Sequence, residues 1–345
     1  MGETMIIVMK QGAKKENIEA VIDLVAKNKL KPVPLYGTER TVIAVIGDER
    51  VLNKDTVEAL DDVEKVMEVL KPYKLAAREY HPENTIIKVG EGANCVNIGG
   101  KEIVVMAGPC AIENKEQIVS IAKEVKKAGA KILRGGAFKP RTAPYDFQGL
   151  GEQGLKYLAA AREETGLKIV TEVVDPRDVA LVEKYADILQ VGTRNMQNYS
   201  LLKELGKAKK PVLLKRGMWA TYKEWLLAAE YIISSGNPNV ILCERGIRTF
   251  ETHTRNTLDL AAVPALKELT HLPIVVDPSH GTGRRSLVAT MCKAAIAAGC
   301  DGLIIESHTH PEKSVSDAEQ TVSTESLKQM MREFKKVAEA VGRKI

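Results

Sequence analysis

Aromatic residues are scarce in this 345-residue chain, at 4%, and the marks of a membrane or disulfide-built protein are missing. No apolar run approaches the ~20 residues needed to span a bilayer, and no charged-then-apolar leader opens the chain. The five cysteines (Cys95, Cys110, Cys243, Cys292, Cys300) form no CxxC pair and are odd in number. That usage excludes a disulfide scaffold and suits free thiols in a reducing compartment, one of them available to a metal. Net charge is only +5, and no basic run is long enough for a nucleic-acid surface. The chain therefore reads as soluble and cytoplasmic, with neither nucleic acid nor membrane as a partner.

What is present is rhythm. Short apolar runs end in polar or charged clusters: IVVMAGPC (103–110), KILRGGAFKPRT (131–142), KIVTEV (168–173), DILQVGTRN (187–195), PVLLKRG (211–217), VILCERGIR (240–248), LPIVVDPSH (272–280) and GLIIESH (302–308). Helical spacing fills the gaps, as with Ile118, Ile121, Ala122 and Val125. Eight strand-then-helix units predict a (β/α)8 TIM barrel, an α/β fold whose active site lies at the C-terminal ends of the strands. Trp225 and Leu226, in a helix near 222–235, are expected in the core or a subunit contact.

Residues 1–70 do not follow this rhythm. Strands at 5–10, 31–37, 41–48 and 63–70 alternate with helices at 14–28 and 53–61, the βαββαβ order of a ferredoxin-like domain. Residues 71–93 read as a polar linker and 94–345 as the barrel. A hairpin is expected at its start, with CVNI and KEIVVM paired across Gly99-Gly100 and plugging the N-terminal mouth.

Two groups of residues stand at the strand ends. Cys110, His280 and Glu306 close strands 1, 7 and 8, neighbours in a closed barrel, and Asp317 lies in the loop beyond. Taken alone, Cys110 is more often a small buried hydrophobe, and His280 a cap or surface residue. Together, a thiolate, an imidazole and two carboxylates suit Mn, Fe, Co or Zn better than Mg or Ca. His308 and His310 are lesser candidates. The second group is cationic: Arg134, Lys139, Arg141, Arg194, Lys215, Arg216, Arg245 and Arg248. Surface lysines and arginines usually face solvent, but these follow apolar strands directly. Glu172 and Glu244 are too few to neutralise them, so polyanionic substrates are expected, held by bidentate arginine and point-charge lysine.

In their order, LRGGAFKPRT, QVGTRNMQN, LLKRG, ILCERGIRTF, VDPSH and ESH…SDAEQ resemble the type I-beta 3-deoxy-D-arabino-heptulosonate 7-phosphate (DAHP) synthases. That family opens the shikimate pathway to chorismate and the aromatic amino acids. The resemblance covers the whole chain, because some members carry an N-terminal ferredoxin-like (ACT-like) regulatory domain. It implies a metal-dependent transferase that condenses phosphoenolpyruvate with erythrose 4-phosphate and releases phosphate. Residue by residue, it implies phosphoenolpyruvate contacts from Arg134, Lys139, Arg194, Lys215 and Arg245. Arg141 and Thr142 would hold erythrose 4-phosphate, and Cys110, His280, Glu306 and Asp317 the metal. Lys139, Cys110 and His280 are the expected catalytic residues, with Lys139 or a metal-bound water donating a proton to the new alkoxide.

The resemblance also implies a homotetramer inhibited by tyrosine or phenylalanine, with Gly37, Thr38 and Arg40 as candidate contacts. A domain kept only for assembly or stability is the plainer reading of residues 1–70. Two other functions compete. 3-Deoxy-D-manno-octulosonate 8-phosphate synthase uses arabinose 5-phosphate, but its corresponding segment resembles KANRS rather than KPRT. A barrel that has lost catalysis would serve as an amino-acid sensor, against which stands the presence of all the proposed ligands and anion-binding residues.

Overall fold

The computed structural model describes residues 4–37, 40–47, 51–69, 72–141 and 143–345; Thr38 and Thr142 lie outside the described residues. The chain divides into two compact units, Met1–Glu83 with Leu269–His271, and Asn84–Glu268 with Leu272–Ile345. Among the described residues no helix is long and apolar enough to cross a membrane.

In the first unit the elements run β1 (Thr4–Met9), α1 (Lys15–Lys27), β2 (Lys31–Tyr36), β3 (Thr41–Ile46), α2 (Lys54–Glu58) and β4 (Val63–Val69). The sheet order is β2-β3-β1-β4, and every pair is antiparallel. Alternation along β1 and β3 sends Met5, Ile7, Met9, Ile43 and Val45 to one face. There they pack with Ile18, Val21 and Val25, the apolar stripe of α1. Asp62 enters β4 at φ 62, and its carboxylate accepts from Asn17 Nδ2 at 2.7 Å and from the Lys14 amide at 3.0 Å. That ties the start of α1 to the last turn.

The expected linker is shorter than its composition suggests. Tyr73, Leu75, Ala76, Ala77 and Tyr80 are buried. Lys74 Nζ donates to Val45 O at 2.7 Å and Tyr80 Oη to Val33 O at 3.3 Å. Residues 72–83 thus belong to the small unit, because their tyrosines and alanines carry enough apolar surface to pack between the prolines. The His81 ring stacks on His271 with centroids 4.7 Å apart.

The second unit opens with β5 (Ile87–Val89) and β6 (Val96–Ile98), an antiparallel hairpin. This corrects the expected pairing of 95–98 with 101–106. Those later residues lead into β7 (Val104–Gly108), the first barrel strand. The Gly99 backbone instead lies so close to Thr85 O that a Cβ there would clash. The barrel continues through α3 (Lys115–Ala128), β8 (Ile132–Arg134), α4 (Glu152–Thr165), β9 (Lys168–Glu172), α5 (Val179–Tyr185), β10 (Ile188–Val191), α6 (Tyr199–Leu205), β11 (Val212–Lys215) and α7 (Tyr222–Ser234). It ends with β12 (Val240–Glu244), α8 (Ala262–Leu269), β13 (Ile274–Val276), α9 (Pro278–Thr282), α10 (Arg285–Ala297), β14 (Gly302–His308), β15 (Val322–Ser323) and α11 (Thr324–Ala340).

Strands β7 to β14 are parallel in sequence order, and β14 pairs with β7 to close the ring. Ile87, Val89 and Ile98 of the hairpin pack with Val104, Met106, Ile132, Val170, Ile188, Leu213, Ile241, Val275 and Ile304 inside it. These barrel positions lie towards the strand starts, so the hairpin fills the N-terminal mouth. Trp225 is fully buried and donates to Leu214 O at 3.2 Å.

His271 gives the small unit a pH dependence. Burial holds this imidazole down to about 4, with Nε2 2.7 Å from Leu75 O. Because the folded value is depressed, unfolding takes up a proton below the ordinary value of about 6.5. Its contribution is therefore fully present above that value and is lost as pH falls towards 4, by at most about 3 kcal/mol. His271→Gln retains an N–H donor and should flatten the fall in urea-unfolding free energy between pH 6.5 and 4. An unchanged slope would remove His271 from the account.

Candidate active site

Inward positions change character two residues from the strand ends. Ile132 gives way to Arg134, Val170 to Glu172, Leu213 to Lys215 and Ile304 to Glu306, with period 2. Register then sets neighbours: Glu306 pairs with Gly108 across β14 and β7, two residues before Cys110. A cavity of about 230 Å³ opens here, lined among others by Arg134, Lys139, Arg141, Arg194, Lys215, Arg245 and His280.

Three of the four candidate metal ligands converge as one group, and His280 stands beside them. Sγ of Cys110 and carboxylate oxygens of Glu306 and Asp317 lie within 4.8 Å of one another. His280 Nε2 is 3.3 Å from Glu306 Oε1. His280 sits on α9 rather than at a strand end, because Asp277 caps that short helix and accepts from the His280 amide at 3.0 Å. Asp277 Oδ2 also lies 2.8 Å from His280 Nδ1. A carboxylate only accepts, so a proton sits on Nδ1, and Nε2 is the nitrogen that a metal ion would take. Asp317 arrives from a loop that leaves β14 and returns as β15, where Val322 pairs with Ser307. It adopts φ 53, a left-handed conformation uncommon outside glycine.

Charge is tightly paired. Arg134 Nη1 donates to Glu306 Oε1 at 2.7 Å, and Lys215 Nζ to Asp277 Oδ2 at 2.6 Å. Burial alone would raise Asp277, but His280 and Lys215 hold it well below the ordinary carboxylate range. Glu306 is likewise held low against burial by His280 and Arg134. His280 is itself pushed down, chiefly by burial and despite both carboxylates. Burial and the adjacent Glu306 push the Cys110 thiol up to about 12, although Lys139 Nζ lies 3.0 Å from its sulfur. A divalent cation is the kind of ligand that would make this sulfur a thiolate. The borderline donor set fits such an ion.

Lys139 can fold over Cys110 because residue 136 is glycine. A Cβ there would stand 2.6 Å from Lys139 Cδ and 2.8 Å from Cys110 O. Gly192 similarly leaves room for the Glu172 carboxylate, which burial raises above its usual range. Two cations bring donors not used by carboxylates. Arg134 Nε is buried with no hydrogen-bond partner among the described residues. Arg245, whose charge burial disfavours, makes no ion pair among the described residues and reaches only Gly246 O at 3.4 Å. Both line the cavity, where an anion would satisfy them.

Several expectations need correction. Arg216 does not line the cavity; its Nη1 donates to Glu244 at 2.9 Å and Asp259 at 2.8 Å, and its guanidinium lies 4.7 Å from the Tyr222 ring. Alternation along β11 explains this, since successive residues point to opposite faces. Arg248 is exposed. His308 contacts Gln117, its Nδ1 accepts from the His310 amide, and it stands outside the ligand group. His310 is exposed as well. Sequence reasoning missed Asp277, Arg255 and Gln320, which hold the candidate ligands in place. The Asp of VDPSH, directly after an apolar strand, was the available signal for Asp277; Arg255 and Gln320 come from irregular segments and offered none.

The profile of the DAHP synthetase I family matches residues 84–343, and that of the DAHP synthase ferredoxin-like domain matches residues 5–71. The chain belongs to the DAHP synthetase I family. Phospho-2-dehydro-3-deoxyheptonate aldolase of Thermotoga maritima is 51% identical over 341 residues, covering 99% of this chain and all of that protein. The crystal structure of the Thermotoga maritima DAHP synthase superposes with a TM-score of 0.78 at 50% identity, covering 99% of both chains. A truncated form of the Thermotoga maritima enzyme gives a TM-score of 0.73 over 78% of this chain and 98% of that one. More distant is 2-dehydro-3-deoxyphosphooctonate aldolase of Syntrophotalea carbinolica, 30% identical over 69% of this chain and 92% of that protein.

Arg216 sets a control for any DAHP synthetase I mutant series. Arg216→Met leaves Glu244 buried without its cation and should cost about 3–5 kcal/mol of stability, read from the urea midpoint, while the folded fraction keeps its turnover. A loss of turnover without loss of stability would return Arg216 to the site.

Proposed function

We propose that the cavity joins phosphoenolpyruvate to erythrose 4-phosphate and water, giving DAHP and inorganic phosphate. The observation that carries this reading is the convergence of Arg134, Lys139, Lys215 and Arg245 on one cavity beside the Cys110, Glu306 and Asp317 group. Arg134, Lys139, Arg194, Lys215 and Arg245 bind the phosphate and carboxylate of phosphoenolpyruvate. Arg141, whose Nε donates to Phe147 O at 3.0 Å, binds erythrose 4-phosphate with Thr142. Holding two anions together despite their repulsion supplies the proximity that a bimolecular condensation needs.

The methylene carbon of phosphoenolpyruvate forms the new bond to the aldehyde carbon. Water adds at the former enol carbon, and phosphate departs by C–O cleavage. Lys139 remains protonated, because its hydrogen bond to Cys110 and the nearby Glu306 carboxylate raise it against the burial that would lower it. It donates a proton to the developing alkoxide, while the surrounding arginines stabilise the charge that moves. Cys110, His280, Glu306 and Asp317 hold a divalent metal from the Mn, Fe, Co and Zn group. When bound, the ion supplies Lewis-acid polarisation of the aldehyde.

We further place feedback inhibition by tyrosine or phenylalanine in the small unit. In support, that unit has a cavity of about 590 Å³ lined by Gly37 and Arg40. Lys65 lines it as a cation beside Arg40, whose Nη1 donates to Glu64 at 2.9 Å, and Val8, Val42 and Met67 give an apolar floor. Inhibition requires that the amino acid bind an inactive state better than the active one. A cytoplasmic homotetramer completes the reading.

The decisive assay is phosphate release from phosphoenolpyruvate with erythrose 4-phosphate or arabinose 5-phosphate, each with and without EDTA. Metal-dependent turnover with erythrose 4-phosphate alone is expected; turnover only with arabinose 5-phosphate would make the enzyme an octulosonate synthase. Cys110→Ala should abolish both turnover and metal binding and leave the circular dichroism spectrum intact. Full activity after chelation would sink the metal assignment.

The truncated Thermotoga form supports a second test. A chain lacking residues 1–83 should keep turnover and lose any response to tyrosine or phenylalanine. Persistent inhibition would place the inhibitor elsewhere.

A further inference from the structure

The two carboxylates proposed to hold the metal come from unlike places. Glu306 is on a central strand, and Asp317 is in a loop that adopts a left-handed turn to present it. A buried and a half-buried carboxylate facing one point repel each other, and a loop alone is a poor restraint. Something must hold them at ligating distance before the ion arrives.

Gln320 makes that connection. It is 2% exposed. Its Nε2 donates to Glu306 Oε2 at 2.6 Å, while its Oε1 accepts from Arg255 Nη1 at 3.0 Å. The same Nη1 donates to Asp317 Oδ1 at 3.2 Å. Glu306 Oε1 is already engaged by Arg134, so Gln320 fixes the remaining oxygen. The amide orientation follows from the partners. Guanidinium only donates and carboxylate only accepts, so a reversed amide would oppose donor to donor and acceptor to acceptor. A side chain of this length with a donor at one corner and an acceptor at the other is what the gap requires.

We propose that Gln320 is a positioning residue for the metal site, linking Glu306 to Asp317 through Arg255 and so setting metal affinity and ligand geometry. The inference rests on the reading that Cys110, His280, Glu306 and Asp317 hold a divalent metal. Groups that orient metal ligands typically change affinity by about 10–100-fold when removed. Gln320→Met keeps the length and loses both hydrogen bonds.

The test titrates Co2+ into metal-stripped full-length protein, reading the thiolate-to-cobalt absorption and the d–d bands. Wild type should show a thiolate band that Cys110→Ala lacks. Gln320→Met should bind Co2+ about 10–100-fold more weakly, with displaced d–d bands and a metal-free Tm near that of wild type. Gln320→Asn, which keeps the amide but is too short to span both partners, should shift affinity in the same direction and serves if the methionine variant does not fold. Wild-type affinity and bands in whichever variant folds, even with a lowered Tm, would reduce Gln320 to a structural role and overturn the inference alone. No thiolate band in wild type would remove the metal site and this inference with it.

Discussion

A buried carboxylate at the end of the last barrel strand organises the rest. Glu306 is 1% exposed, and an isolated charge so placed would cost several kcal/mol in lost solvation. Its surroundings answer with a guanidinium from β8 and an amide from the loop before β15, while Ser279 Oγ accepts from its backbone N–H at 3.0 Å. Each partner comes from a different part of the ring. The arrangement therefore requires that β14 close onto β7 in the observed register, and that the following loop return through Val322. A shift of one residue would point Glu306 outward and leave Arg134 buried without its anion.

Charge pairing also refines the argument that the cations need an anionic ligand. Taken from sequence, they seem uncompensated. In the fold, Arg134, Lys215 and Arg216 have carboxylate partners, two of which, Asp277 and Asp259, sit beyond strand ends. What remains is a smaller but sharper demand. Arg134 keeps a buried N–H without a partner, and Arg245 is buried without a carboxylate among the described residues. These are features of a site that is electrostatically incomplete without ligand, which a count of positive side chains alone could not distinguish from a well-paired surface.

Legibility followed periodicity. The eight barrel strands and the βαββαβ unit are written in alternation of period 2 and 3.6, which local sequence displays directly. The ends of β8, β11 and β14 carried Arg134, Lys215 and Glu306 into view for the same reason. Where period gave way to loop, reading failed. The β5–β6 hairpin was misplaced because Gly99-Gly100 is a strong turn signal, yet pairing depends on Ile87 and Val89, which lie beyond the segment that the signal marks. His280 looked like a strand residue, but the Asp277 cap and Pro278 start a helix instead. Arg216 and Lys215 are adjacent and chemically alike; only strand direction assigns one to the cavity and the other to the outer layer.

The hairpin and the site are parts of one electrostatic design. Within the ring, aliphatic side chains fill the lower levels, and Ile87, Val89 and Ile98 close them from beneath. These aliphatic layers separate the charged level from the N-terminal mouth. Charges in a less polarisable setting interact more strongly than in water. The same setting makes Arg134, Lys139 and Lys215 more effective towards a bound anion, and it makes every unpaired group there costly. A barrel whose lower half were loosely packed would weaken the site without altering any residue in it. The aliphatic runs that made the fold recognisable in the sequence thus also determine how strongly the charged residues at their ends can act.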